Sequence, residues 1–334
     1  MNTEKNLKIL IIRFSSIGDI VLTTPVIRCL KLQANVEIHY LTKNKFVSIL
    51  NSNPYVHKVH VLDDYFQETI KILKSEKFDY IIDLHKNLRS LRIKLALNCK
   101  SYSFNKLNFK KWYFVNFKIN KMPNLHIVDR YFETTKFLSI INDQKGLDFF
   151  IPENVDLPLE IKNEIAEIPY IVYAIGAQHF TKRLPVEKII EIGKKVNLRI
   201  ILIGGVEDEL NGNIISKEVK TVYNYCGKLS INQSAILIKN SKIVISHDTG
   251  MMHIAAAFKK KIISIWGNTV PAFGMIPYQT KELLQSEVLN LPCRPCSKIG
   301  FDKCPKGHFN CMNLQNTNII AETANQIYEN TLFS

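Results

Sequence analysis

Short apolar runs rich in Ile, Val and Leu alternate along this chain with stretches whose apolar positions recur every three or four residues. The first pattern predicts buried parallel strands, and the second predicts amphipathic helices packed on them. In the first half the runs fall at Lys8–Arg13, Glu37–Leu41, Lys58–Leu62, Tyr80–Leu84 and Ser101–Phe104. Helical spacing covers Ile20–Leu32 and His126–Ile140. Around Asp143–Leu159 the periodicity fades, and Gly146, Pro152 and Pro158 mark a linker. A fresh alternation then begins with a strand at Tyr170–Ile175, a helix at Pro185–Val196 and a strand at Leu198–Ile203. A short strand at Val222–Cys226 follows, and Ser230 to Gln233 is a capping box for a helix to Lys239. Strands at Ile243–Ile245 and Ile262–Ile265 flank the last turn and helix of the set. Two βα sets joined by a linker predict an α/β chain of two doubly wound, Rossmann-like domains, about 1–150 and 160–334, facing a central cleft.

Two strand-to-helix turns carry candidate chemistry. Lys8–Phe14 (KILIIRF) runs into Ser15-Ser16-Ile17-Gly18-Asp19. The loop after a first parallel strand lies at the carboxyl edge of the sheet, where open α/β sheets bind ligands. Asp19 there is either a helix-start acid favoured by the dipole or a carboxylate aimed at a cleft. The other turn, Ser246-His247-Asp248-Thr249-Gly250, leads into a helix that carries His253. Such a helix start offers free N–H groups and about half an electron of positive charge, an anion site that His253 can also face. The alternative is an ordinary capped helix with a packed His253. The fingerprint G-x-G-x-x-G is absent from the first turn, which counts against a nicotinamide enzyme.

In IIRFSSIGDIVLTTPVIRCLK near the start, TKRLP at Thr181–Pro185, and HDTGMMHIAAA with IISIWGNTVP near the end, the chain resembles the family-9 glycosyltransferases, the ADP-heptose:lipopolysaccharide heptosyltransferases. The motifs span nearly the whole length. The resemblance implies the GT-B architecture, with an acceptor-binding first domain and a nucleotide-sugar-binding second one. It also implies that the last helix, about Asn318–Leu332, packs back on the first domain. The implied reaction is an inverting, metal-independent transfer of a heptose or related sugar from an ADP-sugar to an anionic lipopolysaccharide core acceptor. No cofactor is then required for catalysis. Asp19 would be the general base, in a loop with Ser15, Ser16 and Gly18. Thr181, Lys182, Asp248, Thr249, Gly250 and His253 would meet the diphosphate and the nearby sugar. Glu209 would approach the ribose, with Glu207 in its place if the register differs. No Asp-x-Asp pair is present, so Lys182 and the helix start would neutralise the leaving group. The chain departs from the family pattern at Leu184, where Trp is common, and at Gly267-Asn268-Thr269, where Gly-Pro-Thr is common; both border the donor pocket and leave the sugar open.

A net charge of +14 over 334 residues bears on partners. Lys106, Lys110, Lys111, Lys118 and Lys121 interleave with Phe104, Phe109, Trp112, Tyr113, Phe114 and Phe117. This segment fits either peripheral contact with the inner membrane surface or an amphipathic element that buries its rings. No apolar run approaches the ~18 to 20 residues of a membrane span, and Ile9–Ile12 is too short for a signal peptide, so a cytoplasmic chain is expected. The basic residues are dispersed and show no nucleic-acid motif, so no nucleic-acid partner is expected. Of seven cysteines, Cys29, Cys99 and Cys226 are scattered small residues. Cys293, Cys296, Cys304 and Cys311, with His308 among them, suit either a structural zinc or a packed Cys-bearing loop. Two other functions stay open: a GT-B-like transferase or epimerase on another nucleotide sugar, and a non-catalytic polyanion-binding protein.

Overall fold

A computed structural model of the chain describes residues 6–166, 168–280 and 283–332. The chain forms two compact units, one from Met1–Lys106 and Leu125–Pro152, the other from Leu107–Asn124 and Glu153–Ser334. The segment 107–124 thus belongs with the second unit, although it interrupts the first in sequence.

Unit 1 is built on β1 (Leu7–Ile12), β2 (Val36–Thr42), β3 (Lys58–Val61), β4 (Tyr80–Asp83) and β5 (Lys100–Ser103), all parallel, in the order β3-β2-β1-β4-β5. These are the five strands that the apolar runs predict. β1 lies centrally, paired with β2 from Leu7–Val36 to Ile12–Leu41 and with β4 from Ile9–Tyr80 to Ile12–Asp83. The helices are α1 (Ile17–Val21), α2 (Thr24–Gln33), α3 (Phe66–Ser75), α4 (Leu88–Leu97), then α5 (Asn108–Phe117) in the unit 2 segment, and α6 (Ile127–Phe132). Leu10, Ile12, Leu41 and Ile81 form one face of the sheet and are covered by Ile70 and Leu73 of α3 and Ile93 of α4.

Two expected helices differ in detail, for the same reason. The helix expected over Ile20–Leu32 is broken between α1 and α2. There the Thr23 and Thr24 hydroxyls donate to the Ile20 and Val21 carbonyls at 2.7 and 2.8 Å, and Pro25 restarts the helix. The helix expected over His126–Ile140 tightens after α6 into a 3₁₀ segment, Glu133–Leu138. Its Thr134 and Thr135 hydroxyls likewise bond the Tyr131 and Phe132 carbonyls, at 2.6 and 2.8 Å.

Unit 2 carries β6 (Tyr170–Ala174), β7 (Arg199–Ile203), β8 (Val222–Asn224), β9 (Ile243–His247), β10 (Lys261–Trp266) and β11 (Leu283–Glu287), in the parallel order β11-β10-β9-β6-β7-β8. The edge strand β11 was not expected, because its short mixed run lacks a strand signature. The helices are α7 (Leu159–Ile165), α8 (Val186–Gly193), α9 (Glu209–Glu218), α10 (Ile231–Asn240), α11 (Gly250–Ala257), α12 (Asn310–Asn313) and α13 (Thr317–Leu332). Ile189 and Ile192 of α8 pack with Ile320, Ala321 and Ala324 of α13 against Ile171, Tyr173 and Leu202 of the sheet. The start of α13 is tied down as well: Thr317 donates to Glu191 at 2.9 Å and Lys195 to Asn318 at 2.6 Å. The first turns of α13, expected on the first domain, therefore pack on unit 2's own sheet.

Candidate functional site

In a parallel sheet wound both ways, the loops on either side of the reversal leave toward opposite faces and open a crevice at the carboxyl edge. The reversal lies between β1 and β4 in unit 1, and between β6 and β9 in unit 2. Both candidate motifs follow one of these strands.

In unit 1 the chain leaves β1 through Arg13 and Phe14 into Ser15 and Ser16, and α1 starts with Asp19 in its first turn. Asp19 turns back on the loop. Its Oδ2 accepts from the Ser16 N–H at 3.2 Å and the Ser16 hydroxyl at 3.0 Å, and it pairs with Arg13 Nη2 at 2.6 Å. Arg13 is buried and held in turn: Nε donates to the Ser15 carbonyl at 2.7 Å and Nη1 to the Leu84 carbonyl at 2.5 Å. Gly18 is buried in the first turn of α1. Burial by itself would raise the Asp19 carboxyl; the Arg13 charge and the Ser16 bonds outweigh it and hold the carboxyl below the ordinary Asp range. Three donors thus fix one carboxylate oxygen, while Oδ1 bonds no described residue and the side chain keeps 19 % of its surface exposed. The loop after β4 adds His85, which the sequence reading missed. Its ring lies 4.6 Å from Phe14, and its Nδ1 is buried without a partner. Burial, then the Arg13 charge, push its pKa down to about 4, so the ring is neutral. Its backbone N–H and that of Lys86 bond Asp83 Oδ1 at 3.0 and 2.7 Å.

In unit 2 the loop after β6 brings Lys182 to the start of α11. Lys182 Nζ lies 2.6 Å from Asp248 Oδ2 and donates to the Asp248 carbonyl at 3.3 Å. The Thr269 hydroxyl, in the loop after β10, donates to the same Asp248 oxygen at 2.9 Å. Thr249 is the extended N-cap of α11 and its hydroxyl lies 3.2 Å from that of Ser246; Gly250 is the first helical residue. Lys182, Asp248, Thr249 and Gly250 therefore meet at one helix start. His253 is buried on the same helix. Thr181 is buried, and its hydroxyl both accepts from the Phe301 N–H at 2.8 Å and donates to the Phe301 carbonyl at 3.1 Å. It builds the loop that carries Lys182 and presents no free hydroxyl. Asn268 is buried with its side-chain amide unpartnered beside Thr269. His247 is buried beneath the loop, and its Nε2 accepts from the Leu184 N–H at 3.0 Å.

Glu209 opens α9 half-buried, while Glu207 is exposed. The buried acid of that turn is the residue between them. Asp208 accepts from the Gly205 N–H at 2.9 Å and lies 3.5 Å from Arg183. A Cβ on Gly176, just past β6, would fall 2.2 Å from its carboxylate, so a larger residue there would displace the Asp208 side chain.

The four clustered cysteines gather in unit 2. Burial, with the neighbouring thiols, pushes Cys296 up to about 11 and Cys311 up to about 12. His308 Nε2 lies 3.9 Å from Cys293 Sγ. The tightest sets of metal-type ligand atoms among the described residues lie elsewhere, in unit 1: Glu37–His39–His57 and His39–His60–Glu76, each within 4.8 Å. They sit at the amino ends of β2 and β3, away from the Asp19 edge. Their carboxylates are already paired, Glu37 with Lys8 at 3.2 Å and Glu76 with Lys58 at 2.7 Å.

Comparison with known proteins bears on these loops. The family described as glycosyltransferase family 9 (heptosyltransferase) matches residues 67–303. Lipopolysaccharide heptosyltransferase 1 of Campylobacter coli is 26% identical over 289 residues, covering 79% of this chain and 84% of that protein. The solved family-9 glycosyltransferase of Veillonella parvula superposes with a TM-score of 0.76 at 19% identity, over 97% of this chain and 98% of that one. The E. coli heptosyltransferase WaaC solved with ADP gives 0.67 at 18% identity, over 96% and 100%. The expected GT-B fold class is thereby borne out.

Proposed function

Because this chain belongs to glycosyltransferase family 9, the heptosyltransferase family, and is therefore a glycosyltransferase, we propose that it moves a heptose from ADP-heptose to an anionic lipopolysaccharide core acceptor with inversion. The observation that carries the donor side is the meeting of Lys182 with the start of α11. There the Lys182 ammonium, seated beside Asp248, and the first amides of α11 supply the positive charge that a departing diphosphate needs. The solved E. coli relative with ADP supports this nucleotide. Glu209 approaches the ribose; Asp248, Thr249, Gly250 and His253 line the diphosphate and sugar, and Thr181 holds the loop.

Asp19 is the base. Its Oδ1 takes the acceptor hydroxyl's proton as that oxygen bonds the anomeric carbon from the face opposite the diphosphate. The carbon–oxygen bond to the diphosphate breaks, and ADP leaves with the electron pair. A carboxylate held below the ordinary range is a weak base, so its contribution is position: Arg13 and Ser16 fix Oδ2 and aim Oδ1. Ser15 and Gly18 shape the loop. Lys182 does the work that a divalent cation does elsewhere, so the transfer needs no metal. We further propose a structural zinc on Cys293, Cys296, Cys304 and Cys311, supported by the type of these side chains and their spacing along the chain. Among the described residues no three of the sulfurs lie mutually within 4.8 Å, so binding would draw them together, and the ion would hold the 293–311 loops and take no part in the transfer. The lipid-linked acceptor places the work at the cytoplasmic face of the inner membrane.

The test is transfer itself. With ADP-heptose and a core acceptor truncated before its heptoses, the protein should add one heptose and release ADP, and Asp19→Asn should not. Transfer from a different nucleotide sugar only would overturn the donor; binding of the acceptor with no transfer from any nucleotide sugar would leave the polyanion-binding reading.

A further inference from the structure

The geometry points to α5 as a docking surface for an anionic lipid bilayer. α5 is apolar on two sides, and among the described residues only one of them is packed within the fold. On the used side, Phe114 packs with Val270 and Phe273, its ring 5.9 Å from that of Phe273. Lys111 Nζ lies 5.7 Å over the Phe273 ring, and Lys118 Nζ donates to the Pro295 and Cys293 carbonyls at 2.8 and 3.2 Å. These contacts seat the helix on unit 2 and fix which side faces outward.

The other side carries a stripe at helical spacing: Phe109, Trp112 and Phe117, which are 73, 51 and 54 % exposed. The Trp112 ring is 6.0 Å from Phe109 and 5.7 Å from Phe117, and Tyr113 lies 4.9 Å from Phe117, so the rings form one continuous patch. Ile119, two residues beyond Phe117, is exposed as well. A fold gains nothing by leaving such a patch in water, and a contiguous exposed apolar surface marks a binding face.

Charge decides the occupant. From Lys100 to Val128 the chain holds Lys100, Lys106, Lys110, Lys111, Lys118 and Lys121, and no Asp or Glu. Lys110 is exposed and has no acidic partner among the described residues, and Lys121 Nζ lies 4.9 Å over the Tyr113 ring. Aromatic rings flanked only by lysines suit the boundary between acyl chains and acidic headgroups, where rings insert and ammonium groups stay at the phosphate level. A second copy of the chain would bring like charges together. The surface is independent of which sugar the enzyme moves, so this inference stands or falls apart from the proposed donor.

The test uses the full chain and vesicles of phosphatidylcholine with or without phosphatidylglycerol. Of the two tryptophans, Trp266 is buried at 1 % exposure, so a change in emission reports Trp112. The protein should sediment with phosphatidylglycerol vesicles, its emission should shift to the blue, and both effects should weaken as salt rises. Phe109→Ser with Phe117→Ser, both at exposed positions, should cut vesicle affinity at least tenfold with melting unchanged. Lys110→Glu with Lys121→Glu should remove the preference for phosphatidylglycerol. Absence of vesicle binding in the wild type, or binding unchanged in the serine variant, would overturn the proposal. So would a concentration-dependent dimer abolished by the same serines, which would make a second copy the occupant.

Discussion

Replacing Lys182 with Ala tests the diphosphate site most sharply, because the structure gives the lysine two roles. It sits at the start of α11, bonded to the Asp248 carbonyl, and it is 2.6 Å from the Asp248 carboxylate. Its loss removes a charge-assisted contact to a phosphate, worth about 1.5 to 3 kcal/mol. It also unmasks Asp248. At roughly 6 Å from a phosphate, in a partly wet site with an effective dielectric of about 40 to 80, the bare carboxylate adds about 1 kcal/mol of repulsion. The two effects sum to about 2.5 to 4 kcal/mol, or roughly a hundredfold to a thousandfold loss in ADP affinity. Adenosine lacks the phosphates and should bind the variant as it binds the wild type. Adding Asp248→Asn to Lys182→Ala should recover about fivefold, the share due to repulsion. Calorimetric titration of wild type, single and double variants with ADP and with adenosine reads all of this. Equal losses for ADP and adenosine would show that Lys182 acts through the fold of its loop. Unchanged ADP affinity would place the phosphates elsewhere, and a further loss in the double variant would refute the repulsive role of Asp248.

Asp19→Asn should lower single-turnover transfer by about 10² to 10⁴ while ADP affinity in calorimetry stays near wild type; near-normal turnover removes Asp19 from the chemistry. The Asp19 carboxyl is held below its ordinary value, so its basic form should persist as pH falls through about 3.9, and kcat/KM should show no loss assignable to it above that pH. Buried His247, by contrast, has its pKa lowered to about 4 by burial, so the unfolded chain binds the extra proton first. Stability is then full above about 6.5 and falls as pH drops toward 4, with roughly 2 kcal/mol gone by pH 5; in thermal melts His247→Gln, which keeps an acceptor for Leu184, should flatten that slope. Transfer should survive excess chelator, whereas about one equivalent of zinc should be found by metal analysis, and stripping it should lower the melting temperature; turnover restored only by Mg²⁺ contradicts the first expectation, and a metal-free protein of equal stability contradicts the second.

The strands were legible because a parallel strand buried on both faces leaves an uninterrupted apolar run, as in Ile9–Ile12 and Ile243–Ile245. Where the apolar signal stopped, so did legibility: β11, LLQSE, gains its place from pairing with β10, which no local pattern encodes. Helix breaks at Thr23–Thr24 and Thr134–Thr135 hid inside good helical spacing, since a hydroxyl that takes a carbonyl costs nothing in periodicity. The site residues show the same division. Asp19, Asp248 and Thr249 stood out because each sits at a strand-to-helix turn, and such turns lie at the carboxyl edge whatever the tertiary details, whereas Lys182 came only from the resemblance and its meeting with the start of α11 is visible only in the structure. Arg13 and His85 were missed, because their roles depend on two loops, distant in sequence, meeting at the crevice between β1 and β4. Arg13 did leave one trace: a charged residue at the end of KILIIRF must either reach water or find buried partners, and here it finds Asp19 and the Leu84 carbonyl. That trace is general. In a chain of this class, the cation closing the first strand is the natural place to look for the group that orients the acid of the following loop. Here its loss should disturb both the aim of Asp19 and its charge, because the Arg13 guanidinium is the largest of the effects that hold the carboxyl low, and the Ser16 bonds to Oδ2 alone would then oppose burial; the acid limb of kcat/KM in Arg13→Gln should move up in pH, and an unmoved limb would refute the role.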